Sequence, residues 1–174
     1  MMSDLASRML RAARLEAGLY NEVKADEGAM GQAVSVVAIS SVAAGLGSFA
    51  RGGPAGILVA AALALVGWFI WSLLVYVIGA KVLPEPQTVP DFPAVLRTQG
   101  FAAAPGAIRV LGLLPGIAGL VFLIATLWMI AAVIVAVRQA LNYGSTWRAA
   151  VVSVLGWILQ ALITGSFVYI AGRG

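Results

Sequence analysis

Arg109 is the residue with the most distinctive chemistry in this chain. It stands inside an apolar segment, residues 101–114, and no Asp or Glu lies in any of the apolar segments around it. A guanidinium in hydrocarbon is costly and is kept where it is paired, snorkels to an interface or faces a cavity. With no carboxylate at hand, the partners open to it are Gln160, Thr164, Ser72, helix-end carbonyls or a lipid phosphate. Anchoring a short helix is its leading role, binding an anionic lipid headgroup the next, and passage of a solute the last. Arg8, Arg11 and Arg14 form a second basic set near the start, suited to an anionic lipid surface or to a partner.

The remaining candidates are structural. Pro105 removes the N–H that would bond the carbonyl of Phe101, and with Gly106 beside it a kink is expected. Pro115 and Gly116 read as a turn, and Gln160 as a polar group able to bond across helices. Gly100 and Gly112 suit close packing, because a helix interior has no free N–H groups for a phosphate.

Catalysis is not expected. The apolar segments contain no Asp, Glu, His, Cys or Lys, and their Ser and Thr have no activating base. The chain has no His and no Cys, which removes the commonest metal ligand, disulfides and thiolate chemistry. No metal and no cofactor is expected. The net charge of +4 is small for a nucleic-acid partner and fits membrane topology and anionic lipid better.

The elements that must carry these residues are membrane helices. Residues 32–49, 52–79, 111–137 and 149–172 are free of charge. Each can supply the roughly 20 residues that span a bilayer. Charged residues make up only 10% of the chain, against about 25% in soluble domains. The fold class is therefore all-α, a polytopic helical bundle. A cytoplasmic amphipathic segment at 1–29 precedes a membrane domain at 30–174, with five spans near 30–50, 56–79, 100–114, 117–138 and 147–170. No cleavable signal pattern precedes the first span, which reads as a retained helix.

Before the membrane, Ser3 can cap a helix with Asp4, Arg8, Arg11 and Arg14 on its polar side, and Gly18 is expected to end it. Arg51, Gly52, Gly53 and Pro54 read as a tight turn between the first two spans. Four prolines make a loop of 82–98, with Asp91 placed to cap a short helix from Phe92. The third span is short and could instead be re-entrant. Asn142 or Gly144 can end the fourth helix and Ser145 can cap the last.

Charge placement favours five crossings by a small margin. With the N terminus cytoplasmic, Arg8, Arg11, Arg14, Lys24, Lys81, Arg97, Arg138 and Arg148 lie inside, and Arg51 and Arg173 outside. That follows the positive-inside tendency more closely than a four-crossing chain with a re-entrant third segment.

Local patterns in this order resemble a small prokaryotic member of the Yip1 domain family. They are Leu19-Tyr20-x-Glu22-Val23, Gly67-Trp68 with Trp71, Gly100-Phe101, Ala104-Pro105, Arg109-Val110-Leu111-Gly112, Pro115-Gly116, Val137-Arg138-Gln139-Ala140-Leu141 and Gly156-Trp157. The resemblance implies a five-span domain with a cytoplasmic N terminus. Eukaryotic relatives are associated with Rab GTPases, vesicle traffic and membrane shape, and prokaryotic ones have no established activity. No match to the eukaryotic Asp-Leu-Tyr-Gly-Pro motif is present, so the resemblance does not carry a GTPase partner over.

The reading is a non-catalytic scaffold or accessory protein of a prokaryotic cytoplasmic membrane, with the C terminus outside. Its expected partners are membrane lipids and a second copy or another integral membrane protein. The alternative is a channel or transporter for a small solute or ion.

Overall fold

The computed structural model describes residues 2–47 and 49–171, so the expected placement of Arg173 lies outside the described residues. Among these the chain is all-helical. It has seven α-helices: α1 (Met2–Ala13), α2 (Ala17–Ala25), α3 (Met30–Gly47), α4 (Phe49–Tyr76), α5 (Phe92–Phe101), α6 (Ala118–Ala140) and α7 (Thr146–Ala171). A π-helical stretch, Val77–Val82, extends α4, and a 3-10 helix, Ala104–Leu113, follows α5.

Among the described residues, four segments are long and apolar enough to cross a membrane: Glu27–Gly47, Ala61–Val82, Ala118–Ala140 and Thr146–Ser166. The short third span expected at 100–114 is not a continuous α-helix and is not among these four. α5 ends at Phe101, and Pro105 opens the 3-10 helix instead of kinking a continuous α-helix. A 3-10 helix rises about 2.0 Å per residue against about 1.5 Å for an α-helix, so the shorter segment still covers length. Its register along α3 shows this. Gly100 lies against Ala33, Ser40 donates to the carbonyl of Ala103, and Gly47 lies against the carbonyl of Arg109 and against Gly112. The segment thus runs parallel to α3 from near its start to its end. Gly116, at φ +82°, then turns the chain into α6, which returns.

The expected turn at 51–54 is also displaced. α3 ends at Gly47 and α4 begins at Phe49, so Arg51, Gly52, Gly53 and Pro54 fall in the opening turns of α4. A proline so near a helix start removes only one ladder bond.

The N-terminal segment forms a hairpin. Gly18 does not end α1; the break comes at Leu15, in the left-handed region at φ 61°. Its N–H bonds the carbonyl of Ala12, and that of Glu16 bonds Arg11. This 5→2 and 6→1 pair satisfies the last carbonyls of α1. Asn142 ends α6 in the same way at φ 56°, as expected of it. Asp91 accepts from the N–H of Ala94 and caps α5.

The hairpin closes one end of the bundle. Leu19, Tyr20 and Val23 are buried with Ala33, Val36, Phe101 and Ala136. Arg97 donates to the carbonyl of Val23 at 2.9 Å, Lys24 to that of Gln139 at 3.0 Å, and Trp128 to that of Ala13 at 2.7 Å.

Candidate functional site

Between α3, α4, α5, the 3-10 helix, α6 and α7 lies a chamber of about 860 Å³. That is within the usual range of ligand cavities, roughly 300–1,000 Å³. Small residues make the space: Ala44, Ala64, Gly67 and Ala161 line it. Its polar lining is Ser40, Ser41, Gln99, Arg109, Gln160 and Thr164.

The floor faces the hairpin. Trp71 on α4 stacks on Trp157 of α7 with ring centroids 5.7 Å apart, and its indole N–H donates to the Gln99 carboxamide oxygen at 3.0 Å. Trp68 donates to the carbonyl of Leu96 at 3.2 Å. The tryptophans therefore bind α4 to α5. Gln99 is only 3% exposed, and its Nε2 has no partner among the described residues. Ser40 and Ser41 spend their hydroxyl protons on the carbonyls of Ala103 and Val37.

Arg109 is at the opposite end. Its Nη2 donates to Thr126 Oγ1 at 3.1 Å and its guanidinium lies 5.5 Å from the centre of the Phe122 ring. A cation over an aromatic face gains about 0.5–2 kcal/mol, far from the cost of burying a charge. Its Nε is buried without a hydrogen-bond partner. Thr126 is exposed, as are Leu123 and Leu127 beside it, so the guanidinium meets a surface that faces lipid.

Of the expected partners, Gln160 and Thr164 share the chamber with Arg109, while Ser72 is fully buried in the bundle with no bond to its hydroxyl. Pro105 is buried at the start of the 3-10 helix, and Pro115 and Gly116 form the exposed turn before α6. Arg8 and Arg11 are at the hairpin end, away from Arg109, and pair within the protein. Arg8 meets Glu22 at 2.9 Å and Asp26 at 3.0 Å; Arg11 meets Glu22 at 2.7 Å and Glu16 at 3.0 Å. Hydrogen bonding from Arg11, then from Arg8, holds the Glu22 carboxyl below its ordinary range against the opposing effect of burial. Arg14 is exposed.

Gln99, Thr126 and the Trp71–Trp157 stack were not singled out as a site by the sequence. The available signal was Gln99 itself, an amide ten residues before Arg109 at the edge of the same apolar segment.

The family model of the Yip1 domain matches residues 20–168. No curated protein and no solved structure matches the chain.

Proposed function

The chain belongs to the Yip1 domain family, and from that premise we propose that it is a non-catalytic membrane scaffold that holds lipid and a second copy or another integral protein. The proposed setting is a prokaryotic cytoplasmic membrane crossed five times, with the 3-10 helix as the thin third crossing. The hairpin is then cytoplasmic and the turn at Pro115 outside.

One observation carries this reading: among the described residues the chamber does not continue to the hairpin side of the bundle. On the hairpin side its lining stops at Val37, Gln99, Trp71 and Val133, and below them Tyr20, Val36, Phe101 and Ala136 are packed solid. At the other end Leu63 is 65% exposed, and Ala161 and Thr164 are exposed too, so the walls open sideways toward lipid. A blind chamber with a lateral mouth suits a held lipid better than a solute path. The size of the chamber and its polar lining favour the second reading, a carrier that opens its floor in another state.

Purification from native membrane in mild detergent tests the choice. A retained partner or homo-oligomer, with no flux in proteoliposomes, is expected. A monomer that moves a solute overturns it.

A further inference from the structure

We propose that Arg109 and the chamber form a site for one glycerophospholipid, with its phosphate on the guanidinium and one acyl chain in the chamber. This deepens the lipid-holding reading above and rests on it.

The first ground is charge. All seven acidic residues are Asp4, Glu16, Glu22, Asp26, Glu27, Glu85 and Asp91; residues 28–84 and 92–174 contain none. None of the seven pairs with Arg109. Asp4, Glu16, Glu22 and Asp26 pair with Arg8 or Arg11, Glu27 opens the turn into α3, Glu85 accepts from Gly144 N–H, and Asp91 caps α5. Arg109 lies beside Gly47, at the other end of α3. Its counter-ion must therefore come from outside the chain.

The second ground is geometry. A guanidinium has five N–H donors in a fork that matches a phosphate. One is given to Thr126, and Nε has no partner. Thr126 is eight residues into α6, so the guanidinium lies about 12 Å below the far end of that helix. Above it the exposed side chains of 111–120 among the described residues are apolar: Leu111, Leu113, Leu114, Ile117 and Leu120. A free hydrated anion would have to cross them, whereas a lipid phosphate can be drawn down with its chains in hydrocarbon as the bilayer thins locally.

The third ground is the mouth. Leu63, Ala161 and Thr164 line the chamber and are exposed, so an acyl chain can enter sideways from beside Arg109. The walls it meets are apolar, including Ala44, Met129 and Val133.

The test uses the full chain, delipidated in detergent and then exposed to phosphatidylcholine vesicles doped with phosphatidylglycerol. Native mass spectrometry reads bound lipid. One retained phospholipid is expected on the wild type, with retention about tenfold weaker in Arg109→Leu and intermediate in Arg109→Lys. Gly67→Leu fills the chamber, since a Cβ there meets nothing nearer than Gln160 Nε2 at 3.9 Å. It should lose the lipid while keeping its melting temperature, which keeps the test decisive if Arg109→Leu fails to fold. Unchanged retention in Gly67→Leu or in a folded Arg109→Leu overturns the site. So does equal retention of neutral diacylglycerol, or displacement of the lipid by inorganic phosphate. A retained oligomer without Arg109-dependent lipid removes this site and leaves the scaffold; solute flux with the lipid still bound removes the scaffold and leaves the site.

Discussion

The indole N–H of Trp71 donates to the side-chain oxygen of Gln99 at 3.0 Å, and both residues are buried, at 8% and 3% exposure. This bond joins α4 to α5 at the floor of the chamber. Gln99→Leu leaves the buried indole N–H without its acceptor. The expected loss is about 1–3 kcal/mol. It should appear as a lower melting temperature in detergent, and an unchanged melting temperature would show that the bond contributes nothing.

Gly156 sets how closely α7 approaches Trp71. A Cβ at this position would stand 2.8 Å from Trp71 Cζ3 and 3.0 Å from Cη2, both atoms of a rigid ring held by its stack on Trp157. Gly156→Val should therefore cost about 1–3 kcal/mol through overpacking. Gly165 on the same helix has nothing within 4 Å, so Gly165→Ala should be neutral or stabilising by up to about 1 kcal/mol. Thermal unfolding of the pair separates packing from propensity. Equal melting temperatures would mean that α7 stands further from α4 than described.

The long helices were legible because charge-free runs report directly on burial in hydrocarbon. The helical class, the cap at Asp91 and the turn at Gly116 all follow from local chemistry that one segment contains. The third segment was not legible as a 3-10 helix. Its conformation depends on how closely Gly47 and Gly112 let the backbones of two distant segments meet. The displaced turn at 51–54 shows the limit of Gly-Gly-Pro as a signal, since the same residues can open a helix. Of the site, Arg109 and Gln160 stood out as polar groups in apolar runs. Trp71, Trp157 and Gln99 did not, because their meaning lies in contacts between three helices.

The hairpin depends on Glu22. It bridges Arg8 and Arg11, and the hydrogen bond from Arg11 is the main cause of its lowered pKa. A carboxyl held lower in the folded state stabilises that state above its unfolded value, about 4.3, and the contribution fades as pH falls through the folded value. Hydrogen-exchange protection across residues 2–25, taken relative to the intrinsic rate at each pH, should therefore fall on acidification below about pH 4.3. Glu22→Gln should show faster exchange already at neutral pH. If the variant exchanges like the wild type at every pH, the ion pairs do not hold the hairpin.

The proposed topology makes the sharpest demand. Lys24, Lys81, Arg97, Arg138 and Arg148 all belong to the hairpin end: Lys24 bonds Gln139 and Asn142, Arg97 bonds Val23, Arg138 bonds Tyr143, Arg148 bonds Pro84, and Lys81 precedes the Leu83 carbonyl that Tyr143 meets. Concentrating these cations at one end fits a cytoplasmic hairpin. The parallel run of 100–112 along α3 puts Pro115 at the opposite end, beyond Gly47. The chain has no cysteine, so single introduced cysteines report without background. In intact cells an impermeant maleimide should label Pro115→Cys, whereas Arg14→Cys and Pro86→Cys should react only after the membrane is opened. All three replaced side chains are exposed, so failure to label cannot be put down to burial in the protein. A re-entrant segment would return Pro115 to the side of Arg14, and labelling of both from the same side would remove the fifth crossing.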